Sequence, residues 1–116
     1  MREPPEEHRL LSADEVREGM RVAMAKASRR GKVILFGGYS RGDFLTDIDI
    51  MIVVDDDLVD AVADTMQIRD CIEIDKGFAL YLITSTEYEI SKDCESTAAW
   101  EAEVYGIVLF DNRDGS

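Results

Sequence analysis

Residues 33–54 constrain the fold of this chain more than any other segment, because two apolar runs flank a short polar stretch. The first run, residues 33–36, breaks at a double glycine. The second run, residues 48–54, has two aspartates at its head, one residue apart. Short apolar runs bounded by glycine and polar residues are typical of buried strands. The segment therefore predicts two strands joined by a glycine-containing turn.

The two aspartates, Asp47 and Asp49, suggest a metal site. Alternate side chains of a strand point the same way, so both carboxylates can converge on one cation. Gly37 and Gly38 let backbone amides approach an anion closely, and an adjacent helix N-terminus would favour negative charge. We expect a phosphate site beside a metal site. The alternative for the aspartates is that they face solvent at the start of an edge strand. The alternative for the two glycines is an ordinary strand-to-helix turn.

This order of motifs resembles the signature of the polymerase-beta-like nucleotidyltransferase superfamily. That signature begins with an apolar residue and a Gly, continues with either Gly or Ser, and ends, after a spacer, with Asp-x-Asp in a strand. In a chain of 116 residues it is most similar to the minimal nucleotidyltransferases, which often have a helical HEPN-type partner. The ending at residues 105–110 also resembles the family's terminal strand. The resemblance implies an α/β (α+β) domain with the nucleotidyltransferase fold, a small mixed β-sheet and helices packed mainly on one face.

The resemblance also implies an activity, the Mg²⁺-dependent transfer of a nucleoside monophosphate from a nucleoside triphosphate to an acceptor hydroxyl. AMP from ATP is the expected case. Asp47 and Asp49 would hold two Mg²⁺ ions that bridge the triphosphate and activate the nucleophile. Two adjacent carboxylates repel one another, and a cation between them would relieve that repulsion.

The same resemblance assigns phosphate contacts. Gly37 and Gly38 would cradle phosphate, while Ser40 and Arg41 offer a hydroxyl and a guanidinium suited to phosphate oxygens. An Arg-Gly pair is common near this place in the family, and Arg41 with Gly42 matches it. Arg41 could equally have a structural role.

The sequence departs from the family at the third carboxylate, which the superfamily carries on a later strand. Alignment places Ala79 or Tyr81 there, and neither is acidic. Glu73 and Asp75 share the required strand parity if residues 71–84 are continuous, so either could position or deprotonate the attacking hydroxyl. Otherwise both are surface acids beside a turn, and the domain is a catalytically degenerate module that binds a nucleotide or a partner.

Charge restricts the partners. The chain has 25 Asp plus Glu against 13 Lys plus Arg, a formal net charge of -12. Such a surface repels nucleic-acid backbones, and the sequence has no basic cluster beyond Arg29 and Arg30. We therefore expect the acceptor to lie on a partner protein. The family context suggests a HEPN-type toxin, of which this chain would be the antitoxin.

Composition indicates one globular domain, with 46% hydrophobic residues and no apolar run near the roughly 20 residues that a membrane-spanning helix needs. We expect a flexible arm at 1–11, the domain at 12–111 and a tail at 112–116. The polar N-terminus does not resemble a signal peptide, which suggests a cytoplasmic protein. The only histidine, His8, lies in the arm, so Ser-His or Cys-His catalysis is not supported.

Hydrophobic periodicity and capping signals predict the remaining elements. In order these are a helix from Ser12 to about Arg30, a strand at 32–36, a short helix or helical turn that includes residues 39–41, and a strand at 48–54. A helix follows at about 57–67, and its apolar set includes Leu58, Val59, Val62, Ala63 and Met66. The remaining elements are one strand or a hairpin within 71–84, a helix beginning near 84, a helix at 96–103 and a strand at 105–110.

Overall fold

The computed structural model describes residues 11–43, 47–57, 60–74 and 77–113, which contain five helices and four strands. In chain order the elements are α1 (Ala13–Lys26), β1 (Lys32–Phe36), α2 (Gly37–Ser40), β2 (Ile48–Val54), α3 (Ala61–Asp70), β3 (Phe78–Thr84), α4 (Ser85–Ser91), α5 (Ala98–Tyr105) and β4 (Ile107–Asp111).

The four strands form one mixed sheet in the order β3-β2-β1-β4. β1 pairs antiparallel with both β2 and β4, whereas β2 and β3 are parallel. Parallel neighbours need a crossover connection, which α3 supplies. β2 is central, and all of its residues except Asp49 are buried. These features confirm the predicted fold class and the predicted burial of β2.

Helices lie against both faces of the sheet. Ile50 and Ile52 of β2 pack in one core cluster with residues of α1 and α3. Met51 and Val53 pack in a second cluster with Tyr88 of α4 and with α5. The two longest helices therefore cover one face, as expected, and two shorter helices add a partial layer on the other. By strand alternation, Asp49 belongs to the face of α4 and α5.

Two predicted helix boundaries are wrong. α1 ends at Lys26 instead of about Arg30, because Ala27 is the C-cap and Ser28 follows with φ 53°. α3 begins at Ala61 instead of about residue 57, because the side chain of Asp60 caps it by accepting a hydrogen bond from the Ala63 amide.

The later start of α3 also changes which side chains the helix buries. Val62 and Met66, which we placed on the apolar face, are 71% and 59% exposed. Ile68 is the buried residue of the helix. Leu58 and Val59 lie outside the described residues.

Of the two alternatives for residues 71–84, one strand or a hairpin, the hairpin is wrong. Residues 72–74 form no strand, and β3 begins at Phe78 in parallel with β2. The segment instead belongs to the crossover connection, where Cys71, Ile72 and Ile74 pack against the core of the α1 face. The last helix and strand each lie about two residues later than predicted.

Of the predicted arm at 1–11, only Leu11 lies within the described residues, and it is buried. Its amide donates to the Tyr39 hydroxyl at 2.6 Å, and that hydroxyl donates to the Leu11 carbonyl at 2.8 Å. In the tail, the Asn112 side chain accepts from the Gly31 amide at 2.8 Å. No helix in the described ranges combines the length and the apolar content needed to cross a bilayer.

Candidate active site

The sheet brings the double glycine and the aspartates together. β1 and β2 are antiparallel, so the end of β1 lies beside the start of β2, and Phe36 pairs with Asp49. α2 begins at the next residue, Gly37. The two motifs, which stand apart in the sequence, therefore meet at one end of the sheet.

Each aspartate lies directly against a glycine. Gly37 has φ 78°, and a Cβ on it would overlap the carboxylate of Asp49. A Cβ on Gly77, just before β3, would lie 2.6 Å from Oδ1 of Asp47. Position 37 thus favours glycine for two reasons: the backbone is left-handed there, and the carboxylate of Asp49 occupies the space of a Cβ.

Negative charge accumulates around Asp49. Burial raises the pKa of Asp49 above its ordinary value, and the nearby carboxylates of Glu101 and Asp47 raise it further. Desolvation and like charge both disfavour the ionised form of an acid. A cation at this place would relieve both effects.

Glu101 was not anticipated from the sequence. It lies on α5, which packs on the same face of the sheet as Asp49, and it forms an ion pair with Arg41 at 3.8 Å. The guanidinium of Arg41 also lies 5.1 Å from the ring centroid of Tyr105. No local motif marks Glu101, because only the docking of α5 beside α2 brings it near the aspartates.

The remaining phosphate candidates are part of the α2 turn. The hydroxyl of Ser40 donates to the Gly37 carbonyl at 2.8 Å. The carbonyl of Gly38 accepts from the amides of Arg41 at 3.0 Å and Asp43 at 2.9 Å. The turn is therefore closed by its own hydrogen bonds, and Arg41 lies at its exposed end.

β3 supplies no acid beside the aspartates. Ala79 pairs with Asp49, and Tyr81 pairs with Met51. Tyr81 packs edge-on against Phe36, with ring centroids 5.3 Å apart. These are the two positions at which the family resemblance places the third carboxylate.

The structure does not bring Glu73 to the aspartates. It lies outside any strand, is exposed, and pairs with Lys26 of α1 at 3.3 Å. α1 covers the opposite face of the sheet from Asp49, so the strand parity assumed for Glu73 does not apply. Asp75, the other candidate, lies outside the described residues.

The donor atoms suit Mg²⁺, because carboxylate oxygens are the hard ligands that this ion prefers. Asp47 lies close enough to Asp49 to raise its pKa, and the glycines beside them leave both carboxylates room. Across the described ranges, no group of three or more His, Cys, Asp or Glu side chains is placed to hold a metal ion. Among the described residues, the groups that could bind such an ion are therefore the carboxylates of Asp47 and Asp49, and Glu101 lies near Asp49.

Comparison with known proteins supports the fold and the family. A crystal structure of a protein from Sulfolobus solfataricus, provisionally described as a nucleotidyltransferase, superposes with a TM-score of 0.57 at 18% identity, covering 96% of this chain and 87% of that one. At this identity the likeness shows the fold alone. No curated protein matches the sequence. The nucleotidyltransferase domain family matches residues 18–108, which is most of the chain. The chain therefore belongs to the nucleotidyltransferase domain family.

Proposed function

We propose that this domain transfers AMP from ATP to a hydroxyl on a partner protein in the cytoplasm, with Mg²⁺ held by Asp47 and Asp49. The observation that carries the proposal is that the carboxylate of Asp49 lies against Gly37, the first residue of the α2 turn, in a chain of the nucleotidyltransferase domain family. Carboxylates for a cation and backbone for a phosphate lie next to each other there.

The aspartates would bind and orient the metal-bound nucleotide. Bound Mg²⁺ would neutralise the triphosphate oxygens and increase the nucleophilicity of the acceptor hydroxyl. Asp49 is partly buried among acids, so its carboxylate gains most from a nearby cation. Asp47 is more exposed, and its carboxylate lies against Gly77 at the entrance of β3.

Arg41 is the candidate for a phosphate contact. Its 3.8 Å pair with Glu101 is long and partly exposed, so it contributes little stability and can be exchanged for a phosphate oxygen. A guanidinium binds phosphate through two parallel hydrogen bonds. The turn would contribute the backbone amides of Gly37 and Gly38. The Ser40 hydroxyl would donate to phosphate in place of its present hydrogen bond to the Gly37 carbonyl.

The acceptor would be presented by a protein, because a net charge of -12 disfavours a nucleic-acid strand. A HEPN-type toxin is the partner that the family context favours, which would make this chain its antitoxin. The group that positions the attacking hydroxyl would be Glu101, which lies near Asp49. Asp75 stays a candidate on the sequence pattern alone.

A second function has one observation in its favour. Ala79 and Tyr81 occupy the β3 positions beside the aspartate strand, where the superfamily carries an acid. A domain without that acid could bind a nucleotide or a partner without transferring AMP. The two functions differ in one respect, the release of pyrophosphate.

The test is calorimetric titration of ATP with magnesium and with EDTA, in the wild type and in Asp47→Asn/Asp49→Asn. The control is Asp70→Asn/Asp93→Asn, which removes two charges from exposed positions elsewhere. We expect magnesium-dependent binding that the site variant loses and the control keeps. Equal binding by both double variants would rule out the site.

Transfer itself is tested by mixing the protein with α-labelled ATP, magnesium and the candidate partner. Label on the partner with stoichiometric pyrophosphate release would establish AMP transfer. Magnesium-dependent binding without label or pyrophosphate would support the degenerate module instead.

A further inference from the structure

A cavity lies at the opposite end of the sheet from the aspartates. Its volume is about 670 Å³, and four arginines line it. These are Arg17, Arg21, Arg29 and Arg30. The last residue of β4, Asp111, also lines the cavity and pairs with Lys32 at the start of β1. The candidate active site lies at the end of β1, so the two sites occupy different ends of the domain.

The fold assembles this arginine cavity from separate parts of the chain. Arg17 and Arg21 stand one turn apart on α1 and share a face. Arg29 and Arg30 lie in the α1–β1 loop, which turns back after Ser28 takes φ 53°. Only the loop pair is visible as a basic cluster in the sequence. Four of the nine arginines of an otherwise acidic chain are thus concentrated in one place.

Several guanidinium groups in the arginine cavity are incompletely partnered. Arg30 makes no ion pair with another described residue, and the pair of Arg21 with Glu18 is long, at 3.8 Å. The Nε of Arg29 is buried and has no hydrogen-bond partner within the described chain. A buried donor without an acceptor is unfavourable, so an added acceptor would stabilise it.

Acids contact three of the four arginines: Arg17 pairs with Asp14, Arg21 with Glu18, and Arg29 with two aspartates. Asp111 binds Arg113 through two hydrogen bonds of 2.9 and 3.0 Å, and this contact lowers the pKa of Asp111. Arg29 pairs with Asp57 at 3.4 Å and with Asp64 at 3.8 Å. Pairs this long with partly exposed acids contribute little and can be exchanged for a ligand.

We propose that the arginine cavity binds a small phosphate-bearing anion, such as a nucleoside diphosphate or pyrophosphate, independently of the active site. Its volume lies in the range of small-molecule pockets, and arginine is the residue best suited to phosphate oxygens. Met24 and Phe110 add an apolar part to the lining, which suits a ligand with a ring. A long nucleic acid would also meet the acidic surface outside the cavity.

The experiment is calorimetric titration of ADP and of pyrophosphate in EDTA, which prevents metal-dependent binding at the aspartates. Arg21→Gln/Arg30→Gln tests the cavity, since both side chains are exposed. The matched control, Arg69→Gln/Lys92→Gln, changes the net charge of -12 by the same two units at distant positions. Asp47→Asn/Asp49→Asn reports on the active site.

We expect the cavity variant to bind at least one of the two anions on the order of a hundredfold more weakly, because two charge-assisted contacts are lost. The distant control and the aspartate variant should bind like the wild type. No binding of either anion, equal loss in the distant control, or loss in the aspartate variant would overturn the proposal. So would binding of a polyglutamate peptide in preference to both anions.

Discussion

At the scale of single residues, Gly37 and Gly42 offer a matched comparison. Both have positive φ, 78° and 97°, but a Cβ on Gly42 meets nothing within 4 Å, whereas one on Gly37 would meet Asp49. We expect Gly42→Ala to cost about 1 kcal/mol, from backbone strain alone. Gly37→Ala should cost more, because the carboxylate must also move.

The measurements are urea unfolding and magnesium-dependent ATP titration of both variants. Only Gly37→Ala should lose nucleotide binding, since only it displaces Asp49. Equal losses of binding in the two variants would show that backbone strain, and not the place of the carboxylate, controls the site.

Asp49 itself should limit stability in the absence of metal. Its pKa is raised in the folded state, so folding favours the protonated carboxyl. The resulting contribution to the free energy of unfolding is fully present below the ordinary pKa of 3.8 and is lost as pH rises through the pKa of the folded state. At neutral pH the ionised carboxylate is therefore unfavourable. We expect Asp49→Asn to raise Tm at pH 7 in EDTA, with a gain that shrinks toward pH 4.

Thermal melts across this pH range check the sign. Asp70→Asn, at an exposed position, serves as the control and should change Tm little. Added Mg²⁺ should raise the Tm of the wild type and leave that of Asp49→Asn nearly unchanged. A lower Tm for Asp49→Asn at pH 7 would contradict the electrostatic interpretation.

At the scale of elements, α5 depends on its N-cap. The hydroxyl of Thr97 accepts from the Trp100 amide at 3.0 Å and lies within hydrogen-bond distance of the Ser91 and Cys94 carbonyls, at 2.8 and 2.9 Å. We expect Thr97→Ala to cost about 1 kcal/mol and Thr97→Ser to cost much less. Urea unfolding measures both, and equal costs would exclude the cap as the cause.

The elements differ in how far the sequence predicts them. β1 and β2 are short apolar runs with clear breaks, and their predicted ranges are those observed. The start of α3 was mistaken because an acidic run from Asp55 to Asp57 offers several caps, while Asp60 is the one used. Residues 71–74 were mistaken for a strand arm because their apolar side chains pack in the core without strand pairing.

At the scale of the whole molecule, the charge of -12 should make stability depend on salt. Self-repulsion destabilises a compact acidic chain, and ions screen it. We expect Tm at pH 7 to rise by a few degrees from low to physiological ionic strength, corresponding to about 1 kcal/mol or less.

Sodium and potassium chloride should act equally if screening is the cause. The effect should vanish near pH 4.3, the isoelectric point, where the net charge is close to zero. A salt effect that persists at that pH, or that differs between the two salts, would point to specific ion binding.

The sequence by itself determined the family, the central strands and the aspartate and glycine motifs, because these depend on neighbouring residues and on strand alternation. Only the tertiary structure placed Glu101 near Asp49 and separated Glu73 from it, since these positions depend on which face each helix covers. The arginine cavity was likewise hidden, because α1 and its following loop bring Arg17 and Arg21 to Arg29 and Arg30 only when folded. Proximity between distant segments follows from packing, which no local pattern encodes.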